Sequence, residues 1–175
     1  MGSIRIPENV KLIVGMITGE EILFDKVKKI LWRRLRNRID FEGPVLDFVH
    51  TDYYNEEMGE GLKRKFLSFK KNVPLKHIEK VKILTNSIEK KFSVSGRRRI
   101  NIDPGYIDLS KLVLFSTKDY SHRIHIGKGI FAEVTLHYKD KKFNAWPWTY
   151  PDYKTDEYLS VLDSIREIYK KTKDS

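Results

Sequence analysis

Val10-Lys-Leu-Ile-Val-Gly-Met-Ile17, followed by Thr18-Gly-Glu-Glu21, decides how this 175-residue chain is read. The first eight residues form a near-continuous apolar run of strand length, the pattern of a central strand covered on both faces. Thr18 and Glu21 then have the Thr-x-x-Glu spacing of a capping box. The helix it opens runs to about Arg36, with Leu23, Val27, Ile30 or Leu31, and Leu35 at helical spacing and Lys26, Lys29, Arg33 and Arg36 as an exposed cationic stripe.

Working outward, Val45 to Val49 after Pro44 reads as a second strand and Lys65 to Phe69 as a third. Asn72, with Pro74, caps a helix that carries Ile78, Val81, Leu84, Ile88 and Phe92. Arg98 to Asp103 alternates as a strand with Ile100 and Ile102 on one face. Asp103-Pro104-Gly105-Tyr106 then has a turn signature. A short helix is expected over Leu109 to Phe115. Arg123 to Ile126 and Ile130 to Tyr138 form a hairpin around Gly127-Lys128-Gly129, with Ile130, Ala132, Val134 and Leu136 on one face and Glu133 on the other. A final helix begins at Thr155 or Asp156. The first six elements, βαββαβ, match a ferredoxin-like split βαβ unit. The expectation is an α+β fold over 1–175 as a single domain: a ferredoxin-like core extended by a short helix, a β-hairpin and a C-terminal helix. Its sheet is largely antiparallel and carries helices on one face.

Composition narrows the function. The formal net charge is +10, from 34 Lys and Arg against 24 Asp and Glu, which points to polyanionic partners. Ile39 to Leu62 contains no Lys or Arg and seven acidic residues, so the rest of the chain stands at +17. That suggests an acidic pocket edge facing a basic surface. The absence of cysteine rules out disulfides, thiolate metal sites and cysteine nucleophiles. No apolar run reaches the ~18 residues of a membrane span, and the opening residues lack the pattern of a signal peptide. A cytoplasmic protein without a membrane partner is expected.

Neither G-x-x-x-x-G-K-[ST] nor G-x-G-x-x-G occurs. Thr117-Lys118-Asp119 falls one residue short of the guanine-reading [NT]-K-x-D pattern. Carboxylates Asp52, Asp103 and Glu133 are the candidate metal ligands, with Mg²⁺ or Mn²⁺ as the ion they would take. Tyr53, Tyr54, Tyr106 and Tyr120 fall in segments read as loops, where rings can stack on bases. Lys63, Arg64, Lys118 and Arg123 can neutralise phosphate, and Asp52 and Asp119 flank them.

The chain resembles a prokaryotic family known as domain of unknown function 4416, some members of which are called GTP-binding proteins. The resemblance runs through Val10-Lys-Leu-Ile-Val-Gly-Met-Ile, Thr51-Asp-Tyr-Tyr, Asn101-Ile-Asp-Pro-Gly-Tyr, Ser116-Thr-Lys-Asp-Tyr-Ser-His-Arg, Gly127-Lys-Gly-Ile-Phe-Ala-Glu-Val-Thr-Leu and Trp148-Thr-Tyr-Pro-Asp-Tyr. It implies no particular activity.

Three functions fit. The first is a module that binds a phosphorylated small molecule, nucleotide or RNA through Asp52, Tyr53, Tyr54, Lys63, Arg64, Tyr106, Lys118, Asp119, Tyr120 and Arg123. The second is an enzyme on a phosphate ester or nucleotide, with Asp103, His122 and Glu133 catalytic. The third is an assembly protein using Trp146, Trp148 and Tyr150 as an interface.

Overall fold

The computed structural model describes residues 2–49 and 54–173. Among them, nine strands form one sheet in which every pairing is antiparallel. At its centre lies β1 (Lys11–Thr18), buried along its whole length, as its near-continuous apolar run predicts. β1 pairs with β4 (Lys63–Phe69) on one side and β5 (Asn101–Ile107) on the other. The order continues outward to β2 (Ile39–Glu42) beyond β4, and to β6 (Lys111–Ser116), β8 (Ile130–Lys139) and β7 (Ile124–Gly127) beyond β5. β3 (Leu46–Asp47) pairs with β4, and β9 (Lys142–Ala145) with β8. The order β2-β4-β1-β5 is that of the ferredoxin-like unit, so the α+β expectation holds.

The helices occupy both faces, not one. α1 (Ile22–Leu35) and α3 (Glu79–Phe92) cover Leu12, Val14, Met16, Leu67 and Ile102. α4 (Asp156–Lys173) covers Ile13, Phe66, Ile107, Leu112 and Leu114 with Tyr158, Leu162 and Ile165. A one-turn helix, α2 (Asn55–Met58), lies beside the site described below. No helix among the described residues is long and apolar enough to cross a membrane.

Several local expectations are corrected. Thr18 makes no capping box. Its hydroxyl accepts from Glu20 N at 3.0 Å and donates to Arg99 O at 2.7 Å, and the helix starts at Ile22. The expected 45–49 strand shrinks to β3, while Ile39–Glu42, before Gly43 and Pro44, supplies β2. The second long helix begins at Glu79, because Val73 is held in a bridge to Val10 and His77 has φ +63°. Leu109 to Phe115 is not a short helix. Leu112, Val113, Leu114 and Phe115 are buried in β6 between two strands, where β-branched and aromatic side chains find partners on both faces.

The largest correction is at Asp103-Pro104-Gly105-Tyr106, which continues β5 straight through the supposed turn. Pro104 lacks an N–H, and the β5–β6 ladder stops at Gly105 opposite Leu114. Gly105 is required by close approach: a Cβ there would lie 2.2 Å from Val113 O. Beyond Pro104 the two strands separate, and α3 fills the ladder's place. Lys82 Nζ donates to Ile102 O at 2.9 Å, and Ile102 N donates to Glu89 Oε1 at 2.6 Å. Burial pushes the Glu89 carboxyl up.

β8 carries a second irregularity. Its register against β6 shifts at Thr135, so Leu136 leaves the face of Ile130, Ala132 and Val134 and joins that of Glu133.

Candidate functional site

Strand alternation places Arg64 on β4, Gly15 on β1 and Asp103 on β5 on the α4 face of the sheet. Arg64 spans Gly15 to reach Asp103. A Cβ on Gly15 would stand 2.9 Å from Arg64 Nη1, so a side chain there would displace the guanidinium from its crossing. The guanidinium donates to Asp152 Oδ2 at 2.9 Å and Asp103 Oδ2 at 3.4 Å. Its Cζ lies 5.4 Å from the ring centroids of Phe48, Phe66 and Tyr153. Burial opposes the Arg64 charge, but the surrounding phenols and carboxylates outweigh it, leaving the guanidinium charged. The Arg64 side chain is only 3 % exposed. It therefore organises the site from within and does not meet a ligand phosphate.

From Asp103 the polar chain runs outward. Asn101 Nδ2 donates to Asp103 Oδ2 at 2.8 Å, Arg98 Nη1 donates to Asn101 Oδ1 at 2.9 Å, and Arg98 grips Glu57 of α2 through Nε at 2.7 Å and Nη2 at 2.5 Å. That clamp joins the acidic 39–62 stretch to the Arg97–Arg99 run. The Arg98 hydrogen bonds hold the Glu57 carboxyl below its usual 4.5. A lowered folded value means that Glu57 contributes stability above 4.5 and loses it as pH falls through the folded value. Glu57→Gln should flatten the acid limb of the stability profile below pH 4.5, measured by urea unfolding at stepped pH.

The second half of the site is built on β8. Glu133, 3 % exposed, lies mid-strand on the α4 face. Its Oε2 accepts from Arg123 Nε at 2.7 Å and lies 3.2 Å from His122 Nε2, while Thr135 Oγ1 donates to Oε1 at 3.2 Å. Arg123 ties the preceding loop together, donating to Ser116 Oγ at 2.9 Å and Lys118 O at 3.0 Å. It also lies under the Tyr120 ring at 4.5 Å and donates to Tyr150 Oη at 3.4 Å. His122 stacks on Trp148 at 5.5 Å and 12°, and Trp148 stacks on Trp146 at 5.3 Å and 8°. Tyr120, Trp148 and Tyr150 are each 38–47 % exposed, so aromatic surface faces solvent around a charged pivot.

The halves adjoin. The Tyr54 hydroxyl, raised by burial, lies within the electrostatic reach of Asp103, Arg64, Arg98 and Tyr150, and Glu57 is within that of Lys118. Tyr54, Arg64 and Asp103 thus belong to one network with Arg98, and Tyr120, His122, Arg123 and Glu133 to a second, which Arg123 ties to the Lys118 carbonyl.

Residues 8–169 match the family model described as domain of unknown function (DUF4416). The chain belongs to this family. No curated protein and no solved structure gives a significant match.

Other expected site residues of this DUF4416 chain fall elsewhere. Tyr106 points to the α3 face, packing on Phe115 at 6.1 Å, because an odd step along β5 separates it from Asp103. It lines a separate groove of about 360 Å³ with Asp108 and Tyr169, where burial raises its hydroxyl to about 12. Lys63 is one residue from Arg64, so it faces the other way and pairs with Asp47. Asp119 is exposed beside Tyr120. Asp52 and Tyr53 lie outside the described residues. Among the described residues no three His, Asp or Glu side chains converge to hold a cation. Glu133 is bound to Arg123, and Asp103 to Arg64 and Asn101. The proposed set of Asp52, Asp103 and Glu133 thus gains no metal geometry from its two described members.

Composition could not reveal Arg98, Glu57, Asn101, Lys82 and Glu89 as parts of the site. The Arg97–Arg99 run and the acidic stretch were visible as charge, but their pairing depends on where α2 and β5 fold.

Proposed function

We propose that this DUF4416 protein binds a phosphorylated, base-bearing ligand, a nucleotide or single-stranded RNA, at the surface formed by Tyr54, residues 116–123 and residues 146–152. The observation that carries this reading is the exposed aromatic set Tyr120, Trp148 and Tyr150 around Arg123. Flat rings beside cations are the combination that holds bases and backbone together. Lys118, which is exposed, supplies positive charge at the surface, with Arg98, 31 % exposed, beside it in its pair with Glu57. Arg123 and Arg64 serve as scaffold, each buried against carboxylates.

Titration with nucleotides and short single-stranded RNA at two salt concentrations tests the proposal, with Trp146 and Trp148 fluorescence as reporter. Binding should weaken as salt rises, since phosphate contacts release counterions. Trp148→Ala should lower affinity about 10-fold, in line with ~1–3 kcal/mol per stacked base. Absence of binding at low salt would remove the proposal.

The His122–Glu133 contact favours a second reading, a phosphate-ester or nucleotide-processing enzyme. A carboxylate holding one imidazole nitrogen orients the other for proton transfer. Product release during the same titration, abolished by His122→Ala, would select it.

A further inference from the structure

We infer that Asp103 makes this site select ribose over deoxyribose, an inference that rests on the ligand class proposed above. A carboxylate beside phosphate-binding cations costs affinity unless it accepts a hydrogen bond from the ligand. Asp103 is only loosely neutralised, by Arg64 and by Lys82 at 3.9 Å. Arg64 is already neutralised by buried Asp152 at 2.9 Å, whereas its contact to Asp103 is longer, at 3.4 Å. Both hydrogen bonds that Asp103 accepts, from Arg64 and Asn101, end on Oδ2. Its Oδ1 faces Lys82 Nζ at 3.9 Å, beyond hydrogen-bond distance, and Lys82 already donates to Ile102 O.

One oxygen of a carboxylate, with two acceptor lone pairs, is therefore unused among the described residues. The Asp103 side chain is 24 % exposed, while Arg64 and Asn101, which hold it, are buried. Behind it, the Tyr153 hydroxyl is buried without a hydrogen-bond partner among the described residues.

The ligand's donors are few. Phosphates offer none at neutral pH, leaving base N–H groups and sugar hydroxyls. A base on the Tyr120–Trp148 surface, with phosphate at Arg98 and Lys118, leaves the sugar between them. Asp103 is joined to Arg98 through Asn101. A carboxylate accepting from ribose hydroxyls is a recurring solution for nucleotides, and the 2′-hydroxyl is the group that separates RNA from DNA.

The test compares short mixed-sequence single-stranded RNA with DNA of the same sequence, and ribonucleotides with 2′-deoxyribonucleotides. The ribose forms should bind about 10-fold tighter. RNA carrying 2′-O-methyl groups should lose that preference in the wild-type protein, a readout independent of any variant's folding. Asp103→Asn should bring RNA and DNA affinities together. Equal affinity for the two sugars, or undiminished affinity for 2′-O-methyl RNA, would overturn the inference while leaving base and phosphate binding intact. Failure of every probe to bind at low salt would instead overturn the function on which it rests.

Discussion

Arg64→Ala should destabilise the protein by about 3–5 kcal/mol, because it leaves a buried ion network without its cation. Asp152, 4 % exposed, would lose its ion-pair partner, and among the described residues Asp103 would retain Asn101 and distant Lys82. Four aromatic rings that surround the guanidinium at 5.4–5.7 Å would border a void. Urea unfolding followed by tryptophan fluorescence measures the loss. Adding Asp152→Asn to Arg64→Ala should recover part of it, since the uncompensated charge is then gone. A loss below about 1 kcal/mol for Arg64→Ala alone would mean that the guanidinium does not organise this face.

Gly105→Ala should cost about 3 kcal/mol, at the upper end for overpacking a core. The added methyl would lie 2.2 Å from Val113 O and 2.8 Å from Leu114 Cδ2. Backbone cannot yield as a side-chain tip can, so β5 and β6 must part where Pro104 has already ended their ladder. Gly129→Ala is the control. Its position has open space around it and a φ of +72°, so it should cost only the ~1 kcal/mol of a strained turn residue. Comparable thermal shifts for the two variants would show that close strand approach does not constrain Gly105.

The Pro104-Gly105 step illustrates how a local signal can be overridden. Pro and Gly in succession describe a turn when only neighbours in sequence count. In the fold, the missing N–H falls where β6 departs, and the missing Cβ falls where it arrives. Lys82 and Glu89 show the complement: two charged residues on a helix become ladder partners for Ile102 through a register no periodicity contains. Treating the step as a turn also misplaced Tyr106, since strand alternation sends it to the face opposite Asp103.

The sequence by itself determined the central strand, the α+β class and the hairpin at Gly127-Lys128-Gly129, because apolar period, strand length and turn chemistry act over a few neighbouring residues. It also marked Arg64, Asp103, Lys118, Tyr120, His122, Arg123 and Glu133, but among a wider set that included Lys63 and Tyr106, which face elsewhere. Only the tertiary structure decided their roles: which arginines are buried as scaffold and which rings remain exposed. Those outcomes depend on burial and on pairings between residues up to 88 positions apart, as in Arg64 and Asp152. Charge becomes structural or available for binding according to what the fold places beside it.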